Sequence, residues 1–155
     1  MTQQIPQTVN WQQNGYTLTT DERLIDRQVV YEYLNKESYW AQNIPMQIVQ
    51  RSLDHSLCFG VFNEEKAMIG FARVVSDYAT FATLADVFIL PAHRGLGLGK
   101  WLVQCVLEHP DLQDLRSWNL RTRDAHGLYS QFGFHIPRYP EKIMERTREN
   151  PYPAA

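Results

Sequence analysis

Apolar residues recur along this chain with two periods, and the switches between them mark out its elements. Leu57 to Phe62 and Ala67 to Val75 are short runs rich in β-branched and aromatic residues, closed by turn sequences at Asn63–Lys66 and Ser76–Thr80, which is how strands of a hairpin read. Phe81 to Leu90 is a third such run, stopped by Pro91, so the three predict an antiparallel meander. Helical periods lie on either side. Ile25, Val29, Val30, Tyr33 and Leu34 share one face of a helix that Asp21 is placed to cap. Pro45 opens a short second helix presenting Met46, Val49 and Leu53. Leu98, Trp101, Leu102, Cys105 and Val106 fall at i, i+3, i+4, i+7 and i+8, one face of a helix that Pro110 and Asp111 end.

The ends of the chain carry weaker patterns. Residues 1–15 are polar and glutamine-rich and read as a loose arm, followed by a short strand at Tyr16–Thr19. Ser117–Arg121 is a fifth strand, expected parallel to the Phe81 strand because a helical crossover separates them. A short helix starts near Asp124, carries Ala125, Leu128 and Tyr129, and is closed by Gly133. Phe134 and Lys142–Arg146 are read as further strands, and residues 149–155 as a frayed tail. The expected architecture is α/β: one domain over 16–148 with a mixed, mostly antiparallel sheet flanked by helices.

Composition narrows the function. A chain of 155 residues with 44% hydrophobic and 21% charged residues fits one globular domain. Its formal net charge of −2 provides no general attraction to nucleic acid, so any anion is bound by local design. Cys58 and Cys105 sit in apolar runs and read as reduced core thiols, and the five histidines lack metal-ligand spacing with them, so no metal is expected. No segment approaches the ~18 to 20 apolar residues of a membrane span, and the N-terminus is unlike a signal peptide. The expected location is the cytoplasm.

The chemistry gathers between the third meander strand and the central helix. Arg94, Gly95, Gly97, Gly99 and Lys100 form a loop that empties into a helix N-terminus, where free N–H donors hold phosphate. A Walker loop is excluded, because Arg94 stands where its first glycine belongs and Trp101 follows the lysine. A dinucleotide fingerprint is disfavoured because the third glycine comes one residue early. A structural turn remains, although it does not require alternating glycines between two cations. Elsewhere, Tyr31, Tyr39 and Trp40 either wall an acceptor cleft or pack over the core. Asp86 is the only acid between Phe81 and Leu90. It reads as a general base, as an ion-pair partner of Arg73, or as a bystander to a base acting through water. A turn centred near Tyr78 would put Asp86 and Arg73 on opposite faces unless a bulge intervenes.

Two motifs carry a resemblance to a known family. Ile89, Pro91, Arg94, Gly97 and Gly99 resemble the coenzyme A pyrophosphate loop of the GNAT acyltransferase superfamily. Ala125, Leu128, Tyr129, Gly133 and Phe134 resemble its later helix, and the likeness spans roughly Tyr16 to Phe134. The chain is most similar to small bacterial members, a likeness that does not assign an acceptor. The resemblance implies a splayed sheet and transfer of an acetyl group from acetyl-coenzyme A to a primary amine, by direct attack in a ternary complex. The backbone of Arg94, Gly95, Leu96, Gly97, Leu98, Gly99 and Lys100 would hold the pyrophosphate. Phe88, Ile89 and Leu90 would pair with the pantetheine amides, with an N–H near Ile89 facing the developing oxyanion. Tyr129 would lie beside the sulfur and protonate the departing thiolate, unless it only packs in the core. An alkylamine is mostly protonated at neutral pH, with a pKa of about 10.4, so a base is needed; several relatives carry an acid nearer the position of Thr83. Thr122 stands where many relatives have asparagine, and Arg121 and Arg123 either attract the ribose phosphate or are solvated. A small amine or a protein lysine as acceptor and a homodimer fit the family, as does an acyl-coenzyme A sensor without turnover.

Overall fold

The computed structural model describes residues 5–154, so residues 1–4 of the expected arm and residue 155 of the expected tail lie outside it. Asn14 and Gly15 both take positive φ, 50° and 83°, and reverse the chain between β1 (Asn10–Gln13) and β2 (Tyr16–Thr19). Asn-Gly is the strongest short hairpin signal because such a turn needs positive φ at both positions. The segment read as a loose arm therefore contributes a strand.

The meander follows as β3 (Leu57–Phe62), β4 (Met68–Ser76) and β5 (Phe81–Ile89). A helix later, β6 (Ser117–Leu120) returns parallel to β5. The six strands lie in sequence order, antiparallel except for that last pair.

Before the meander, the expected single helix is split. Asp21 caps a 3-10 turn at Glu22–Leu24, Ile25 is extended, and Asp26 accepts from Val29 N–H to start α1 (Arg27–Glu32). Two aspartates that each offer the backbone a local acceptor break one helix into two. α1 runs on into a π turn at Tyr33–Glu37, a geometry that recurs at functional sites because it re-aims the side chains it carries. Pro45 caps α2 (Met46–Asp54).

Each face of the sheet has its own core. Phe59, Val61, Ala72, Val74 and Leu84 meet α3 (Leu98–Glu108) on one, and Cys58, Met68, Phe71 and Phe88 meet α1 and α2 on the other. α3 buries Leu98, Trp101, Leu102, Val103, Cys105 and Val106. At about 1.5–3 kcal/mol for each large apolar side chain, packing far outweighs the marginal stability of an isolated helix of that length. The glycine loop thus opens into a rigid element.

The strands expected at Phe134 and at Lys142–Arg146 do not form. Pro137 and Pro140 remove two backbone donors, a 3-10 turn occupies Pro140–Lys142, and residues 135–151 are exposed. Tyr152 then turns back onto the α1–α2 core.

Candidate functional site

β5 and β6 pair from Phe81 and Ser117 to Leu84 and Leu120. There β6 ends while β5 continues to Ile89, so the sheet splays and leaves one edge of β5 without a strand. A bulge sits at the splay. Phe71 opposes Phe88, but Arg73 opposes Ala85, so two residues of β5 face Ala72 alone, and Asp86 is left-handed at φ 53°. The extra residue turns Asp86 to the face of Arg73 and undoes the strict alternation. Arg73 Nε donates to Asp86 Oδ2 at 2.8 Å, and Trp40 Nε1 donates to Oδ1 at 2.9 Å. The pair is mostly buried, with side chains 19% and 10% exposed.

Past the bulge, Leu90 N–H donates to Ile69 carbonyl at 2.8 Å. Strand alternation then directs the N–H of Ile89 away from β4, toward the open side. The Ile89 carbonyl accepts from Arg94 Nε at 2.9 Å, and Arg94 Nη2 donates to Tyr33 Oη at 3.0 Å. Tyr33 lies flat on Phe88, ring centroids 4.0 Å apart at 12°. Periodicity placed Tyr33 on a core face; the π turn brings its hydroxyl to the site.

The loop supplies the donors. Gly95 and Gly97 take φ of 80° and 77°, which spares a left-handed cost of about 1–2 kcal/mol for a side-chain-bearing residue. Among the described residues, the N–H groups of Gly95, Leu96, Gly97, Leu98, Gly99 and Lys100 donate to no protein acceptor; the first to do so is Trp101, to the Gly97 carbonyl. Gly99 has an ordinary helical backbone, and, apart from its chain neighbours and the backbone of its own helix, a Cβ there would meet no protein atom within 4 Å. Nothing in the protein itself requires glycine at that position, as expected where a ligand comes close to the backbone. A diphosphate fits this donor set.

Loop and splay open into one cavity of about 600 Å³. Of the expected cofactor residues, Phe88, Ile89, Arg94, Gly95, Gly97, Leu98 and Gly99 line it, and so does Tyr129; Leu90, Leu96 and Lys100 do not. Tyr39 and Trp40 form part of its wall. Tyr31 is outside it, half-buried against the α1–α2 core, and Asp86 lies behind Trp40. The wall also includes Tyr33, Glu37 and His93, which the sequence did not single out as binding residues, and Arg123, one of the two arginines read as either attracting the ribose phosphate or solvated. His93 Nδ1 lies 3.3 Å from Tyr16 Oη. A separate cavity of about 450 Å³, under residues 5–8, contains none of the expected site residues.

Tyr129 is carried by α4 (His126–Ser130) and is 8% exposed. Its hydroxyl has no protein partner among the described residues, yet it is not a sealed unsatisfied atom, so its oxygen opens to the cavity. Burial, with Tyr39 adding to it, pushes the phenol up to about 12, so it remains a proton donor at working pH. Thr122 Oγ1 accepts from Ala125 N–H at 2.9 Å and so fixes the turn into α4. Arg123 is not freely solvated: its guanidinium lies 3.8 Å from the Tyr39 ring centre. No group of three or more metal-ligating side chains occurs among the described residues.

Comparison with known proteins agrees with this geometry. Residues 27–134 match the sequence profile of the Acetyltransferase (GNAT) family. A Xanthomonas campestris pv. campestris structure assigned to the GNAT acetyltransferases is 48% identical, with a TM-score of 0.87 over 90% of this chain and 97% of that one. A Gibberella zeae protein named an acetyltransferase is 30% identical over 64% of this chain and 66% of its own length. The chain spans about half to two thirds of the first such curated relatives. Glucosamine-6-phosphate N-acetyltransferase of Arabidopsis thaliana, 13% identical with a TM-score of 0.61 over 88% of this chain and 99% of that one, shares the fold alone. With its glycine loop, splayed β5–β6 pair and matched profile, the chain belongs to the GNAT family of acetyltransferases.

Proposed function

We propose that this protein moves an acetyl group from acetyl-coenzyme A to a primary amine by direct attack in a ternary complex. The observation that carries the reading is the run of six unpartnered N–H groups, four of them on residues (Gly95, Gly97, Leu98 and Gly99) that line the same cavity as Tyr129. Acetyl-coenzyme A, when bound, supplies an activated thioester. The loop donors hold its pyrophosphate, and the free edge of β5 pairs with its pantetheine amides. Ile89 N–H faces the carbonyl oxygen of the acyl group, and Tyr129 gives its proton to the departing sulfur. Tyr39 and Trp40 wall the acceptor side. The Asp86 carboxylate, with lone pairs beyond those engaged by Arg73 and Trp40, takes the amine's proton through an intervening water. A covalent cysteine route is disfavoured: Cys58 and Cys105 are absent from the cavity wall, and burial pushes both thiols up to about 12.

The acceptor is a small amine or a protein lysine. Two buried free thiols favour the cytoplasm. The exposed arm bearing Ile136, Tyr139, Ile143 and Met144 favours a homodimer.

Thermal unfolding with acetyl-coenzyme A, with NAD and ATP as controls, tests the cofactor. Ligand at about 100 times its dissociation constant adds roughly 2.7 kcal/mol, and no shift would overturn the reading. Turnover of an amine panel, lost in Tyr129→Phe while cofactor affinity stays, separates an enzyme from a sensor.

A further inference from the structure

Tyr39 and Arg123 are 84 residues apart and meet across the cavity through two separate contacts. The Arg123 backbone N–H donates to Tyr39 Oη at 2.9 Å, while the Arg123 guanidinium covers the Tyr39 ring at 3.8 Å. One contact needs the hydroxyl and the other needs the cation. Tyr39 belongs to the loop between the π turn and α2, and Arg123 to the turn from β6 into α4. Both residues line the cavity together with Tyr129.

The consequence runs along the second turn. β6 loses its partner at Leu120, so the chain from Arg121 onward has no sheet hydrogen bonds to hold it. Two bonds replace them, one long-range and one local. Tyr39 Oη holds Arg123, and Thr122 Oγ1 holds Ala125. Ala125 then accepts from Tyr129 N–H at 3.2 Å, which fixes the first turn of α4. The short helix that aims Tyr129 is therefore anchored, at its stem, by a hydroxyl from the other side of the slot. We infer that Tyr39 is a positioning residue for Tyr129: the Tyr39–Arg123 strap holds the entry to α4 so that the Tyr129 hydroxyl meets the acyl end of the cavity. This rests on the acetyltransferase reading for its kinetic consequence, but not for the contact itself.

Two substitutions separate the contacts. Tyr39→Phe removes the hydroxyl and keeps the ring, and Arg123→Gln removes the cation and keeps the N–H. Tyr39 is 44% exposed and Arg123 is exposed, so the fold tolerates either change. Tyr39→Phe is expected to lower kcat about fivefold, the factor that one hydrogen bond of ordinary net strength is worth, with KM for acetyl-coenzyme A and for the amine unchanged. Arg123→Gln is expected to lower it less. In a Tyr129→Phe background the Tyr39→Phe loss should vanish, because the group being aimed is gone. Losses that multiply in the double variant, or a Tyr39→Phe effect confined to the amine's KM, would overturn the inference and leave Tyr39 as acceptor wall only. If the wild type transfers no acetyl group to any amine, the proposed function fails. The strap is then read by amide exchange. Faster exchange at Arg123 and Tyr129 in Tyr39→Phe supports it, and unchanged exchange refutes it.

Discussion

Replacing Gly99 by alanine should move two observables in opposite directions. Gly99 is the second residue of α3, has a helical backbone, and its missing Cβ would meet no protein atom within 4 Å apart from its chain neighbours and its own helix backbone. Without ligand, alanine should therefore stabilise the helix, by about 0.5 kcal/mol near its first turn, or roughly 1–2 °C in Tm for a chain of this size. With ligand the sign reverses. The new methyl stands among the free N–H groups of Leu98, Gly99 and Lys100, where a diphosphate has to come into hydrogen-bonding distance. If the methyl costs tenfold in affinity, a ligand concentration 100 times the wild-type dissociation constant stabilises the variant by about 1.4 rather than about 2.7 kcal/mol. Thermal unfolding of both proteins, with and without acetyl-coenzyme A, reads both signs in one experiment. Gly97→Ala is the control: at φ 77° it should lower the ligand-free Tm, at a cost of about 1 kcal/mol. A Gly99→Ala protein that is more stable and still takes the full ligand shift would refute the claim that the loop touches the ligand. One that is less stable without ligand would refute the argument from open space.

Three further outcomes are expected. Tyr129→Phe should lower kcat on the order of a hundredfold. Because the phenol is pushed up to about 12, no loss of rate below pH 10 should trace to its ionisation, as pH–rate profiles of both proteins would show. Asp86→Asn keeps a residue that tolerates the left-handed bulge but removes the negative charge that pairs with the mostly buried Arg73, and should cost about 2 kcal/mol in denaturant unfolding; an unshifted pH–rate profile would remove Asp86 as base. His109 is fully buried, packed by Trp11 and Phe59, with Nδ1 accepting from Asp111 N–H and Nε2 at 3.0 Å from the Gln7 carbonyl. Burial holds the imidazole below its ordinary range, only partly offset by Gln7 and Asp111, so the unfolded chain binds the extra proton first. Its stabilising contribution should be complete above about pH 6.5 and fall as the pH drops through the lowered value. Tm measured between pH 7.5 and 5 should decline more steeply in the wild type than in His109→Gln, and parallel curves would refute this.

What the sequence determined by itself is what local physics encodes. A meander of apolar runs, a helix with one apolar stripe, and a loop with alternating glycines each follow from neighbours within a few residues. Their identities were legible, as was the parallel return of β6, because chain handedness allows little else. The β1–β2 hairpin is equally encoded by Asn14 and Gly15, although its mostly polar flanks give it no apolar alternation. Other features depend on residues far apart in the chain. The register that pairs Ser76 with Ala82, and the bulge that swings Asp86 to Arg73, arise from strand packing that no alternation rule contains. Tyr33 reads as core by its spacing until a π turn rotates it toward Arg94. Arg123 reads as a ribose-phosphate partner or a solvated cation, and only the fold brings it over Tyr39. The sequence thus specified which elements form and where donors cluster. The tertiary structure alone decided which side chains face one another across the slot, because a one-residue shift in a strand or helix turns a side chain to another face, and only packing against distant segments selects that shift.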